Sequence, residues 1–181
     1  MKLKLKLLLA MVAMLTAPLA GWCQPTQVFI VRHAEKAAEP KDDPAISAVG
    51  VARAETLAQV LAATNIRTIL TTQYLRTQQT AAPTAKQFGL TPKVLTIQRG
   101  QAQAHIAEVV AEVRKSTGPV LVVGHSNTVA GIVAGLSSSK PVTLCETSFA
   151  NLFVVTLQQP ELPAVQLKYG KPDVAPEPDC Q

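Results

Sequence analysis

Residues 28–37 read VFIVRHAEKA. Four apolar residues, three of them β-branched, run straight into an Arg-His pair, followed by a carboxylate and a lysine. A short unbroken apolar run is the pattern of a strand buried on both faces. Arginine and histidine are costly to bury unless their polar atoms are satisfied. A surface loop would explain the charges alone. An active site at the carboxyl end of a strand would explain the charges and the strand together.

Outward from that stretch, helical and strand patterns alternate. Residues 27–31 form the first expected strand, and the polar loop AEKAAEPKDDPAI follows. Ser47 is placed to cap a helix running to about Ala63, with Val49, Ala52, Leu57, Val60 and Leu61 as its apolar side. RTILTT (67–72) reads as a strand. Residues 74–89 read as a helix that contains Pro83, a residue able to bend it, and is stopped by Gly89. KVLTI (93–97) is a short strand. Residues 102–117 are a helix with Ile106, Val109, Val110 and Val113 on one face, broken by Gly118-Pro119. VLVVGH (120–125) is a second unbroken apolar strand, and SNTVAGIVAGL (126–136) is a small-residue helix suited to close packing on a sheet. FANLFVVTL (149–157) and AVQLKYG (164–170) complete the sheet. This alternation predicts an α/β fold, a three-layer sandwich with a mostly parallel central sheet flanked by helices. Both unbroken apolar strands run into a histidine, as Arg32-His33 and as Gly124-His125. Ligands in such sheets sit beyond the carboxyl ends of strands. Neighbouring strands would therefore bring His33, His125 and Arg32 together.

Residues 1–23 carry Lys2, Lys4 and Lys6, then an apolar run from Leu7 to Leu15, then small residues. That is the order of a cleaved secretory signal, with cleavage after Cys23 and a lipid anchor on Cys23 as the rival. The apolar run is short for a spanning helix, which needs about 20 residues, so no stable membrane insertion is expected after cleavage. Residues 24–171 would be one domain and 172–181 a Pro-rich tail, in a periplasmic or secreted protein. The whole chain has 17 basic and 12 acidic residues; without the leader it has 14 against 12, or +2. The basic balance is thus largely a targeting feature, and no nucleic-acid partner is expected. An oxidising compartment makes a Cys145–Cys180 bridge plausible. Oligomeric state cannot be read.

Three motifs stand in order: V-R-H-A-E-K after the first strand, L-R-T-Q-Q-T-A on the helix after the second, and G-H-S-N-T after a late one. Together they resemble the histidine phosphatase superfamily, with its phosphoglycerate-mutase-like fold, in a short single-domain branch. The resemblance runs from residue 27 to about 157. It implies that His33 becomes phosphorylated and that Arg32, Arg76 and His125 bind the phosphoryl group.

Elementary chemistry agrees. A phosphate monoester carries roughly −1.5 to −2 charges near neutral pH. Moving its phosphoryl group takes an in-line nucleophile and fixed positive groups around the equatorial oxygens. Neutral imidazole is such a nucleophile, and guanidinium is a planar fork that keeps its charge. Two arginines and a second imidazole supply the electrophilic help, so neither metal nor cofactor is required.

The leaving alkoxide still needs a proton. Members of the family supply it from a glutamate after the second motif or an aspartate after the second histidine. Here the former position offers only Glu108 and Glu112, on a solvated helix face, and the latter holds Ser126. Glu35 ranks first as the acid and His105 second, with pairing of Glu35 to Lys36 or Arg99 as its other reading. Only a short loop and one helix separate His33 from the second strand, so an open, shallow site is expected. Two other functions stay open: a non-catalytic phosphate-ligand-binding module, and a serine hydrolase using Ser126 in an incomplete G-x-S-x-G pattern.

Overall fold

The computed structural model describes residues 26–173. The expected leader with Cys23, and Cys180 in the tail, lie outside those residues. The described chain forms a six-stranded mixed sheet in the order β3-β2-β4-β1-β5-β6. The strands are β1 (Gln27–Arg32), β2 (Thr68–Thr71), β3 (Lys93–Val94), β4 (Val120–Gly124), β5 (Asn151–Thr156) and β6 (Val165–Lys168). β3, β2, β4 and β1 run parallel to one another, and β5 is antiparallel to both neighbours. Among the described residues, no helix is long and apolar enough to cross a membrane.

Period-two alternation on the inner strands divides the core. Val28 and Ile30 of β1, with Val120 and Val122 of β4, face one cluster; Phe29, Val31, Leu121 and Val123 face another. The first cluster is closed by α3 (Ala102–Arg114) and α4 (Ser126–Leu136), the second by α1 (Ala48–Val60) and α2 (Leu75–Phe88). Each fully buried Val, Leu or Ile contributes about 1.5–3 kcal/mol, so both faces of the central strands must be covered. The result is the expected three-layer α/β fold.

Several details differ from expectation. β3 is reduced to Lys93–Val94, after which Leu95 N–H still donates to Thr71 O at 2.8 Å. As expected, Pro83 lies within α2 and Gly89 ends that helix, in the left-handed region at φ 64°. Asp173, assigned to the tail, accepts from Phe149 N–H and Ala150 N–H at 2.7 Å each and so packs on the domain.

The largest difference is the face of α1. Ser47 caps it as expected, accepting from Gly50 N–H at 3.2 Å. Yet Val49 and Val60 are exposed, and the buried side is Gly50, Arg53, Ala54, Leu57 and Ala58. Arg53 can point inward because Glu35 takes its Nε and Nη2 at 2.7–3.0 Å, while the Tyr169 and Lys171 carbonyls accept from Nη1 and Nη2, so that every guanidinium nitrogen has a partner. A paired, fully hydrogen-bonded charge escapes the burial penalty that drives lone charges outward. Gly50 lets the helix approach the β1 loop: a Cβ there would overlap the Glu35 carbonyl oxygen. Gly-to-Ala inside a helix ordinarily stabilises by about 1 kcal/mol. Here we expect Gly50→Ala to destabilise by about 1–3 kcal/mol, seen as a lower urea midpoint. An unchanged or raised midpoint would show that α1 does not lean on that carbonyl.

Candidate active site

The parallel ladder sets Arg32 opposite Gly124, and His33 N–H donates to Gly124 O at 2.9 Å. The residues that follow each strand therefore emerge side by side. The His33 and His125 rings meet edge to face, with centroids 5.4 Å apart. Arg76 arrives from the first turn of α2, one strand further along. Its guanidinium lies over the Tyr74 ring at 4.2 Å, and Tyr74 in turn meets His125 edge-on at 5.5 Å. Asp43 sits 3.6 Å from the Arg76 guanidinium and accepts from Leu75 N–H at 3.0 Å.

Both imidazoles are buried and neutral. Burial, followed by the nearby arginine charges, lowers His33 to about 3 despite the opposing Ala34 hydrogen bond. His125 is also lowered to about 3, by burial and then by His33 and Arg76. His33 Nδ1 lies 2.8 Å from Ala34 O. A carbonyl only accepts, so Nδ1 carries the hydrogen and Nε2 keeps its lone pair. That is the tautomer a nucleophile needs, held by the backbone. His125 Nε2 lies 3.0 Å from the Thr72 hydroxyl, and Thr72 is itself tied to Thr77 at 3.0 Å. The backbone N–H of His125 donates to Thr128 Oγ1 at 3.0 Å, fixing the start of α4.

Arg32 is 2 % exposed and lies against Phe149 at 4.4 Å. Nη1 donates to Cys145 O at 2.7 Å and Nη2 to Glu146 Oε2 at 2.6 Å; Nε is buried without a hydrogen-bond partner. Glu146 also accepts from the Ser126 hydroxyl. Partial burial opposes its charge, but the Ser126 bond and Arg32 outweigh it and hold the carboxyl below its ordinary range. No sequence motif marked Glu146, which lies in an irregular segment between α4 and β5. Cys145 is disulfide-bonded, with its partner outside the described residues.

The expected acids lie elsewhere. Both Glu35 oxygens are taken by Arg53 rather than by Lys36 or Arg99, and Glu35 does not line the cleft. His105 is buried on α3, lowered by burial, with Nδ1 unpartnered, and it too is absent from the cleft wall. Ser126 does line the cleft, but its hydroxyl donates to a carboxylate and not to an imidazole base, so the serine-hydrolase arrangement is not assembled. The cleft itself encloses about 690 Å³ and brings together His33, Arg76, His125, Ser126 and Glu146.

A model of the histidine phosphatase superfamily (branch 1) matches residues 28–99, the span holding Arg32, His33 and Arg76. No curated protein matches the chain. Among solved structures, the protein histidine phosphatase SixA complexed with tungstate is 23% identical, with TM-score 0.61, covering 80% of this chain and 96% of its own. A mycobacterial glucosyl-3-phosphoglycerate phosphatase with inorganic phosphate is 17% identical, with TM-score 0.58, over 81% and 97%. Phosphoglycerate mutase from Bacillus anthracis is 16% identical, with TM-score 0.58, over 77% and 92%. Over residues 28–99 the chain is thus similar to the histidine phosphatase superfamily, and over most of its length it shares the fold of these solved structures.

Two measurements probe this geometry. Neutral buried histidines bind fewer protons than their unfolded counterparts, so stability is lost as pH falls from the unfolded value of 6.5 toward about 3. We expect the urea midpoint to drop across that window, and to drop less steeply in His125→Asn. Glu146 also competes with any incoming anion for Arg32. Because its side chain is 75% exposed, the pair is a weak one. Glu146→Gln should therefore tighten vanadate binding by no more than about fivefold, read by calorimetry; weaker binding would make Glu146 a support for Arg32 instead of a competitor.

Proposed function

We propose that the protein is a phosphatase that hydrolyses a phosphomonoester or related phosphoryl compound through a covalent phosphohistidine on His33. One observation carries the reading: His33 is a neutral imidazole whose Nδ1–H is pinned to Ala34 O, beside Arg32, Arg76 and His125. Nε2 attacks phosphorus as the bond to the leaving oxygen breaks. Arg32 and Arg76 hold the equatorial oxygens, and neutral His125 donates a hydrogen bond to them. Water then attacks the phosphohistidine, releasing phosphate and restoring Nε2. The reaction runs without a metal, because the guanidiniums supply the fixed positive charge.

Glu146 takes the place of Glu35 and His105 as the carboxyl beside the reacting groups. Ionised in the free protein, it is suited to accepting a proton from the attacking water and poorly suited to protonating a leaving alkoxide. Substrates whose leaving groups need little protonation, such as acyl phosphates and phosphoramidates, fit best. The leader-type N-terminus supports an exported protein acting on an envelope or extracellular phosphoryl compound, with Cys145–Cys180 as the bridge.

The test is phosphate release from a generic aryl phosphate. We expect vanadate to inhibit, EDTA to have no effect, and His33→Ala to lose about a thousandfold or more of the rate. Equal release by His33→Ala would overturn the nucleophile. A parent that binds phosphate but releases none would establish the non-catalytic reading, which the ionised state of Glu146 in the free protein favours.

A further inference from the structure

Beyond His33, Arg76 and His125, the cleft wall carries Lys36, Lys41 and Arg99. All three are exposed, and none forms an ion pair among the described residues. Two carboxylates share the wall, Asp42 and Glu146, and Glu146 is already engaged by Arg32 and Ser126.

The loops bearing these cations are built. Lys36 forms an isolated antiparallel bridge with Ile46. Its neighbours close the same arch, with Ala37 N–H donating to Ala45 O and Ser47 N–H to Glu35 O at 2.8 Å each. Lys41 lies within that arch, which is tied to α2 where Ile46 N–H donates to Gln79 Oε1 at 2.8 Å. Arg99 stands on a tight turn closed by Gln101 N–H donating to Gln98 O at 3.0 Å. Gly100 takes the left-handed corner of that turn at φ 77°. The Gln73 side chain clamps the turn's base at both polar atoms of the Ile97 backbone, at 2.9 and 3.0 Å. Lys36 is also close enough for its charge to act on both His33 and Glu146. Three cations on tied loops around one cleft, none in an ion pair among the described residues and outnumbering the two carboxylates of that wall, form an electrostatic seat whose natural occupant is negative.

We propose that Lys36, Lys41 and Arg99 form a second anion subsite, so that the preferred substrate carries a carboxylate or second phosphate besides the phosphoryl group that His33 receives. This rests on the phosphatase reading for the orientation of the substrate, but the subsite can be measured by binding alone. Two or three such cations acting together on one anion are expected to give a preference of about tenfold.

The turnover arm compares 4-carboxyphenyl phosphate with phenyl phosphate, as a ratio of kcat/KM that each variant is scored on. The binding arm uses His33→Ala protein and calorimetry with ethyl phosphate, phosphoglycolate and propane-1,3-diyl bisphosphate. We expect the doubly anionic ligands to be favoured. Lys41→Gln combined with Arg99→Gln should lower that preference about tenfold, while Lys115→Gln, a cation at the far end of α3, leaves it in place. Phosphoglycolate against the bisphosphate tells which second anion the seat takes. No preference in the parent, an undiminished preference in the double variant, or an equal loss in Lys115→Gln would overturn the subsite. Selective binding without turnover would overturn the catalytic reading and leave the subsite standing.

Discussion

The parallel pairing of β1 with β4 is the constraint on which the site depends. Its register sets Arg32 beside Gly124, and the His33 N–H to Gly124 O bond carries that register one residue past the strand. A slip of one residue would turn every side chain of β1 to the opposite face. Val28 and Ile30 would leave one core and Phe29 and Val31 the other. The apolar clusters on both faces thus enforce the position of two charged side chains at the sheet edge. Packing energy distributed over the whole domain is converted into placement of a few polar atoms.

That placement lets burial work in favour of chemistry. Burial normally penalises an ionised imidazole, and here the adjacent guanidiniums add to the penalty. The same environment that keeps His33 uncharged also attracts a phosphoryl dianion. On the proposed mechanism, nucleophile and anion-binding groups therefore reinforce one another. Arg32 is buried behind the cleft wall: its Nη1 stays on the buried Cys145 carbonyl, and only its bond to the exposed Glu146 carboxylate is exchangeable for a phosphate oxygen at modest cost.

Much of this was legible in the sequence, for a physical reason. Arg32, His33 and His125 follow unbroken apolar runs directly, so strand pattern and chemistry occupy adjacent letters, and Arg76 lies in the first turn of the helix that follows the next apolar strand. The misread residues lacked such a marker. The valines of α1 suggested one face, whereas the buried side contains Gly50 and Arg53, whose fitness for the interior depends on Glu35, distant in sequence. The engagement of Glu35 is hidden for the same reason: its partner Arg53 sits 18 residues away. Glu146 reaches Arg32 from an irregular segment across 114 residues, and no local periodicity encodes such a contact.

On the proposed mechanism, Nε2 of His33 takes the phosphoryl group while Nδ1 stays bound to Ala34 O. Rapid acid-free quenching of the protein during turnover of an acyl phosphate, followed by phosphorus NMR of the trapped species, tests it most directly. The account predicts a single acid-labile phosphohistidine at Nε2 of His33. A phosphoryl group at Nδ1, on His125 or on Ser126, or turnover with no phosphoenzyme under conditions where its breakdown is slow, would contradict it.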